Sequence, residues 1–308
     1  MASDLPKAQP GDEPLVDLQV SSARDYITLL KPGVMLLVVF TGLAGMVLAP
    51  GQLHPLLQVI TVLCIAIGSG AGGAINMWFD RDIDKHMART QKRPIPAGRI
   101  VPDDALAYGL FLSGASVALL GIGVNWVAAA YLAGAIAFYV FIYTVWLKRR
   151  TPQNIVIGGA AGAFPPVIGW AAVTGGTSLE AWIMFAIIFL WTPPHFWALA
   201  LYRSGDYAKV GIPMLPVVAG QEATKNQMLI YTLILFAVTL LPWGVGQAGW
   251  LYGVSAALLS GKFIYHALQV KRSDSDVPAK RMFGYSILYL FLLFFMLMMD
   301  NLLGDIPV

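Results

Sequence analysis

The stretch "NMWFDRDIDKHMART", residues 76–90, directly follows a long apolar run and carries three aspartates and two arginines. The chain around it has 308 residues, of which 57% are hydrophobic and only 12% are charged. A soluble globular domain has about twice that charged fraction. The composition therefore indicates a protein whose main solvent is lipid, and residues 76–90 mark a place where the chain leaves the bilayer.

On both sides of this stretch the sequence contains further apolar runs. A bilayer core about 30 Å thick needs about 20 apolar residues for each helix that crosses it. The sequence predicts an all-α, polytopic membrane protein with nine transmembrane helices. The predicted spans are 33–50, 56–76, 104–122, 126–146, 154–173, 180–200, 229–247, 250–269 and 283–302.

The basic residues give the predicted spans an orientation. Every Lys and Arg except Lys262 precedes the first span or lies in an even-numbered connection. Short connections rich in Lys and Arg stay in the cytoplasm, so we expect a cytoplasmic amino terminus and an outer carboxyl terminus. Residues 1–24 are acidic and contain no apolar core, which excludes a cleavable signal peptide. We expect them to form a polar, disordered cytoplasmic tail, and residues 25–308 to form a single transmembrane domain.

Three oxygen-bearing side chains, Asn76, Asp80 and Asp84, follow one another at intervals of four. On a helix such residues lie within about 80° of one another. Like charges at this spacing repel, so a bound cation explains the pattern better than a solvated helix end does. Oxygen ligands favour a hard ion, and magnesium takes one or two carboxylates together with substrate phosphates. The only cysteine, Cys64, lies in an apolar run, so no cysteine metal site is available.

The connection after the sixth span resembles the first in being both acidic and basic. In "LALYRSGDYAKVGIPMLPV", residues 199–217, Asp206 is the only acid and lies near Tyr202, Arg203 and Lys209. Together with the arginines of the first connection, these residues predict a cytoplasmic cap with carboxylates for metal and cations for phosphate oxygens. Lys85, Lys92 and Lys225 have an equally good explanation as determinants of topology alone.

A site for a metal-bound diphosphate above an apolar bundle predicts an isoprenoid diphosphate as the substrate. Its tail would lie among the helices. Magnesium and arginines would stabilise the charge that develops on the departing diphosphate. The carbocation left behind needs a site from which water is excluded.

Longer stretches of the chain resemble a known family. The pattern N-x-x-x-D-x-x-x-D on the second span, with a second acidic motif after the sixth, is similar to the UbiA superfamily of intramembrane prenyltransferases. Within it, the chain resembles the branch that prenylates haem, from about Lys31 to the end. The similar stretches are "DRDIDKHMARTQKRPIPAG" at 80–98, "NIVIGGAAGAFPPVIGWAAVTG" at 154–175 and "PPHFWALALYRSGDYAKVGIPMLPVVAG" at 193–220.

The resemblance implies a UbiA-like bundle and a reaction in which farnesyl diphosphate gives its farnesyl group to a vinyl group of haem B. Water adds at the vinyl carbon, and the products are haem O and diphosphate, for assembly of haem-copper terminal oxidases. Mg²⁺ is the implied cofactor, and haem B is a substrate. The implied location is the bacterial inner membrane, with the active site facing the cytoplasm. The implied partners are membrane lipid and either a haem A synthase or oxidase subunits. The resemblance implies no nucleic acid partner.

Carried over to this sequence, the resemblance assigns roles to named residues. Asp80, Asp84, Asp206 and Tyr202 are the expected catalytic residues, and Asn76 joins the three aspartates as an expected metal ligand. Tyr202 stands where many members have an aspartate, which leaves the number of magnesium ions open. The expected diphosphate-binding residues are Asn76, Arg81, Arg89, Arg93, Arg203 and Lys209.

Haem raises the question of an iron ligand. His195 follows Pro193 and Pro194 near the cytoplasmic end of the sixth span, and His266 has a similar depth in the eighth. Either imidazole is a candidate ligand, although His195 has an alternative role as a donor to a carbonyl that the prolines free. Lys262, inside the eighth span, is either a partner for a haem propionate or a side chain that extends to the interface.

Three rival functions stay open from the residues alone. A UbiA-type enzyme acting on an aromatic or quinone precursor would share the stripe at 76–84. An ion-coupled transporter would place its acids near the bilayer midplane, whereas these acids gather at one face. A haem chaperone would not need the carboxylates.

Overall fold

The computed structural model describes residues 21–304, and within them the chain is helical and contains no strand. The predicted tail lies almost wholly outside the described residues. The helices are α1 Ala23–Leu29, α2 Pro32–Leu48, α3 Pro55–Phe79, α4 Arg81–Asp84, α5 Pro102–Gly123, α6 Trp126–Ala137, the π-helix Phe138–Leu147, α7 Asn154–Ala163, α8 Pro165–Thr174, α9 Leu179–Tyr202, α10 Ser204–Lys209, α11 Leu215–Val218, α12 Gly220–Thr239, α13 Leu241–Gly244, α14 Trp250–Lys271 and α15 Asp276–Gly304.

Each predicted span coincides with a helix or with two consecutive helices. Seven of these segments within residues 21–304 are long and apolar enough to cross a membrane, and α1 with α2, bent by 55°, would make an eighth. The segment that does not qualify is α14, which carries Lys262, His266 and Gln269 and is less apolar. A multi-pass membrane protein is therefore confirmed, and the number nine stays a prediction.

Two helices begin earlier than the apolar pattern predicts. Helix α12 begins at Gly220 rather than at 229, and α15 begins at Asp276 rather than at 283. Their first turns are polar, so hydropathy detects only the part that would lie in lipid. With 29 residues, α15 is about 43 Å long, which exceeds the bilayer core of about 30 Å.

A short helix that the sequence did not predict precedes the first span. Helix α1 begins with a capping box, in which Ser22 and Asp25 exchange side chain–backbone hydrogen bonds. The Asp25 carboxylate also accepts a hydrogen bond from Arg99 Nε at 2.7 Å. This ion pair fixes α1 to the connection that follows residues 76–90.

The spanning segments pack in sequence order around the bundle, and α15 closes it against α2. Across the bundle, α2 packs on α8 through glycines. A Cβ at Gly45 would overlap the backbone of Pro166, and a Cβ at Gly169 would overlap the carbonyl of Gly42. Only hydrogen atoms fit between the two helix backbones at these points.

The outer surface of the bundle is apolar. Leu36 is 77% exposed and Ile122 is 79% exposed, and many other large apolar side chains are also exposed. An apolar surface this extensive is stable in lipid and not in water, which agrees with the helix lengths.

At the end of the bundle opposite residues 76–90, an acid from the last helix caps another helix. The Asp300 carboxylate accepts hydrogen bonds from the backbone N–H groups of Gly249 and Tyr252, at the start of α14. These groups have no partner within α14 itself, so the last helix of the chain completes the first turn of α14.

Candidate active site

Asn76, Asp80 and Asp84 share one face, as their spacing predicts. Helix α3 ends at Phe79, but helical hydrogen bonds continue across the junction with α4. Asp80 N donates to Asn76 O at 3.0 Å, and Asp84 N donates to Asp80 O at 2.9 Å. The Asn76 side-chain amide donates to Asp80 Oδ2 at 2.8 Å. All three side chains are buried, so the stripe faces the interior of the bundle.

Basic side chains of the protein balance the charge of the two buried aspartates. Lys148 pairs with Asp80 Oδ2, and Arg93 Nη1 contacts Asp84 Oδ2 at 2.6 Å. Arg149 Nη2 lies 3.6 Å from Asp80 Oδ1. A bound cation is thus not the only feature that relieves the repulsion between the acids, because protein cations already do so.

Lys31 enters the site through a strained turn. Its φ is +56°, in the left-handed region that non-glycine residues rarely adopt, and the chain bends there between α1 and α2. The Lys31 ammonium donates to Asn76 Oδ1 at 2.7 Å and lies 3.4 Å from the hydroxyl of Tyr139. Strain of this kind persists only where the surrounding structure over-determines it.

The π-helix supplies the opposite wall of the site. Its wider turn places Tyr139, Thr144 and Lys148 on one side, and Lys148 N accordingly bonds to the carbonyl of Tyr143, five residues earlier. Asn76 donates to the Thr144 hydroxyl at 3.2 Å. The π-helix is therefore the element that directs Lys148 to Asp80.

The donor atoms fit a magnesium ion that is shared with a substrate. Asp80 Oδ1 is buried and accepts no hydrogen bond, so one carboxylate oxygen is available inside the site. Within residues 21–304, no three acidic, histidine or cysteine side chains are close enough to hold one metal by themselves. Asn76 Oδ1 already accepts from Lys31. The set thus suits an ion that takes one or two carboxylates and completes its shell with water and phosphate.

An apolar cluster joins the two polar connections beneath the site. Met87 of the first connection packs with Tyr207, Ile212 and Met214 of the second. Burial raises the pKa of the Tyr207 phenol, and the nearby guanidinium groups of Arg89 and Arg93 oppose that rise. The structure therefore brings the arginines of the first connection to the second connection.

The other residues of the second connection lie at the rim. Asp206 is half-buried and pairs with the exposed Arg203 at 3.8 Å. The ring of Tyr202 lies under the Lys280 ammonium, which is 5.6 Å from the ring centroid. Lys209 is exposed, as is Arg89. These side chains border the stripe without contacting Asp80 or Asp84.

Arg81 points away from the stripe. It donates to the carbonyl of Trp78 at 2.7 Å and lies 4.9 Å from that indole ring. On the same side of the helix, Arg149 makes two hydrogen bonds to Asp82, at 2.7 and 2.8 Å. Arg149 holds the pKa of the Asp82 carboxyl below its usual range. Arg81 is thus separated from the acids that it was expected to assist.

His195 is held between two aromatic rings. Its imidazole stacks on Trp191, with centroids 4.3 Å apart, and on Phe283, with centroids 4.6 Å apart. Its Nδ1 lies 2.6 Å from the Ser286 hydroxyl. The same hydroxyl lies 2.6 Å from the carbonyl of Phe283, to which it can donate, and in that arrangement Nδ1 carries the proton and Nε2 keeps its lone pair. Within residues 21–304 the imidazole of His195 makes its hydrogen bond to Ser286 and none to a carbonyl.

His266 and Lys262 occupy a different place. Lys262 is exposed, and its ammonium lies 5.0 Å from the centroid of the Tyr285 ring. His266 packs on the same ring at 4.9 Å, and its buried Nδ1 has no hydrogen-bond partner. His195 contacts Phe283 and Ser286 instead. The structure therefore does not bring His195 into contact with Lys262 or His266.

Several residues of the site or its surroundings were not among the sequence candidates, and they include Lys31, Lys148, Arg149 and Ser286. The first three were assigned only to topology. Their positive charge could have indicated a role in the site, because a short connection needs fewer basic residues than these to determine its orientation. Ser286 carried no signal at all.

Three comparisons bear on this geometry. The UbiA prenyltransferase family matches residues 38–298. A protoheme IX farnesyltransferase from Parvibaculum lavamentivorans is 58% identical over 289 residues, which cover 92% of this chain and 91% of the relative. The protein of the same name from Agrobacterium fabrum is 57% identical over 289 residues, with the same coverage of both chains.

Solved structures agree at the level of the fold. A structure described for digeranylgeranylglyceryl phosphate synthase superimposes with a TM-score of 0.74 at 17% identity, covering 90% of this chain and 97% of that one. A UbiA homolog from Archaeoglobus fulgidus, bound to DMAPP and Mg²⁺, gives a TM-score of 0.64 at 17% identity and covers 88% of this chain and 99% of that one.

Proposed function

Because the chain belongs to the UbiA prenyltransferase family, we propose that it transfers the farnesyl group of farnesyl diphosphate to a vinyl group of haem B. Water adds at the vinyl carbon, a proton is released, and the products are haem O and diphosphate. The single observation that carries this proposal is near full-length identity of 57–58% to proteins named protoheme IX farnesyltransferase. An aromatic or quinone acceptor has no comparable support.

Asp80 and Asp84 would hold Mg²⁺, with Asp206 approaching from the second connection. When bound, the ion would neutralise charge on the departing diphosphate. Asp80 offers its Oδ1, which accepts no hydrogen bond and has Arg149 Nη2 at 3.6 Å, while Asn76 and Lys148 hold Oδ2 in place. The magnesium in the Archaeoglobus structure supports a metal of this kind.

Arg93, Arg89 and Arg203 would bind the diphosphate oxygens, with Lys209 at the rim. Arg93 uses one terminal nitrogen for Asp84 and keeps further N–H groups for a phosphate. Lys31 and Lys148 add positive charge on the inner side of the stripe. These cations would stabilise the negative charge on the diphosphate as it leaves.

His195 would bind the iron of haem B through Nε2. The Ser286 contact fixes the neutral tautomer that a metal requires. Trp191 and Phe283 keep the imidazole plane fixed, which would define the tilt of the porphyrin. Lys262 and His266 lie farther out, where a propionate is the group that their chemistry suits.

The site would face the cytoplasm of a bacterial cell, in its inner membrane. The basic connections gather at the end of the bundle that carries residues 76–90, and such connections stay on the cytoplasmic side. We further propose nine spans, with α14 crossing the membrane despite Lys262, because α14 packs between α12 and α15.

The test is a reconstituted reaction. Purified protein receives haem B and farnesyl diphosphate with Mg²⁺, and the extracted haem is analysed by mass spectrometry. The expected result is a haem whose mass rises by one farnesyl group and one hydroxyl. Prenylation of an aromatic or quinone precursor with haem left unchanged would contradict the proposal.

A further inference from the structure

A second cavity, of about 510 Å³, lies on the other side of the helix that carries the stripe. We name it the interface groove and define it by Trp78, Arg81, Asp82, Lys85 and Arg149, which line it together with apolar neighbours. At about 100° per residue, the groove residues of α3 and α4 lie about 150° from the stripe. The groove therefore lies on the opposite face of this helix, and Arg149, which pairs with both Asp82 and Asp80, lies between the groove and the site described above.

The groove has more donors than acceptors. Its one acid, Asp82, is already bound through both oxygens by Arg149. Lys85 is exposed and makes no ion pair with any residue of 21–304. Asp103 and Asp104 are nearby in sequence, but neither lines the cavity. The charge of the lining is positive, with three cations against one acid.

Two buried N–H groups at this groove have no acceptor. They are the indole Nε1 of Trp78 and the Nε of Arg149. Buried polar groups nearly always have a partner, so a donor without one requires an explanation. Both atoms have almost no accessible surface and do not face the groove. The groove cations that form no ion pair within residues 21–304, Arg81 and Lys85, are the groups that a ligand can reach, and phosphate has the matching chemistry.

The surroundings of the groove indicate what the rest of the ligand is. It lies where α3 ends and α5 begins, at the end of the bundle with the basic connections. Phe79 and Ile95 add apolar surface, and the outward side chains of α5 include Phe111, which is 72% exposed. A tryptophan beside cations at this depth is typical of the headgroup region, and basic pockets between helices on this side bind anionic headgroups.

We propose that the interface groove binds the phosphate of an anionic phospholipid, whose acyl chains lie along α5. The Lys85 ammonium and the Arg81 guanidinium contact the phosphate oxygens. This site does not depend on the reaction proposed above.

The experiment uses full-length protein in detergent, with native mass spectrometry to count bound lipid during titration. The probes are dioleoyl-phosphatidylglycerol and, for comparison, dioleoyl-phosphatidylcholine. The variant Lys85→Gln removes a groove cation, and Lys92→Gln is the matched control, because Lys92 is exposed on the same connection but does not line the groove. Arg81→Gln removes a second groove cation, whose one side-chain hydrogen bond goes to the carbonyl of Trp78.

We expect wild type to prefer phosphatidylglycerol, and Lys85→Gln to weaken its binding about fivefold. Arg81→Gln weakens it as well, and Lys92→Gln leaves it unchanged. Equal binding of both lipids, or an equal loss in Lys85→Gln and Lys92→Gln, would overturn the proposal. Displacement of the lipid by an equal concentration of inorganic phosphate would overturn it too, since the site would then recognise the free anion.

Discussion

Asp80 makes two ion pairs, with Lys148 and Arg149, and it is completely buried. We expect Asp80→Ala to lower turnover by about 100-fold or more, because the magnesium ion that binds the diphosphate loses a carboxylate ligand. Turnover is measured against magnesium concentration. Asp82→Ala is the control on the same turn, since Asp82 faces away from the stripe.

Loss of Asp80 also leaves Lys148 without its partner, so folding must be checked separately. The thermal midpoint of each detergent-solubilised variant serves this purpose, and Asp80→Asn retains the shape of the side chain. Wild-type turnover of a folded Asp80→Ala protein at limiting magnesium is the result that would reject a metal role for this residue.

At the scale of elements, α9 and α15 are joined through His195 and Ser286. In His195→Ala we expect loss of the histidine-bound Soret and Q-band pattern of added haem, with binding of farnesyl diphosphate unchanged. Ser286→Ala removes only the contact to Nδ1, so it shifts these bands without abolishing them. If the haem spectrum is the same in wild type and His195→Ala, His195 has a structural role alone.

The contact between α2 and α8 leads to a prediction about stability. We expect Gly169→Ala to destabilise the protein by about 1–3 kcal/mol, because the new methyl group overlaps the carbonyl of Gly42. Gly134→Ala is the control. Gly134 lies in α6 with open space around its Cβ position, so alanine there stabilises the helix by about 0.5–1 kcal/mol. Thermal unfolding in detergent measures both, and shifts of the same sign would contradict the close packing.

For the whole molecule, the prediction concerns topology. Cys64 is buried, so single cysteines can be introduced on an almost unreactive background. In sealed right-side-out vesicles, a membrane-impermeant maleimide should label Gln52→Cys and Gly304→Cys but leave Gln91→Cys unlabelled. Inverted vesicles should give the opposite pattern. Labelling of positions 91 and 304 from the same side would indicate an even number of spans and remove one of the nine.

The sequence was informative wherever a local pattern determines structure. The four-residue spacing of Asn76, Asp80 and Asp84 predicted their shared face, and the apolar runs predicted where the long helices lie. The pairing of Lys148 with Asp80 was not predictable in this way, because it spans 68 positions and depends on a π-helix within an apolar run. Lys31 enters the site only because the chain bends there, and a bend of this kind has no apolar signature.

The cap that Asp300 provides for α14 has a consequence for biosynthesis. A ribosome makes Gly249 and Tyr252 about fifty residues before it makes Asp300. Until α15 emerges and inserts, two N–H groups at the start of α14 lack this acceptor. The first turn of α14 therefore lacks its cap until residue 300 has been made and its helix has inserted, so a chain truncated before that residue lacks the cap permanently.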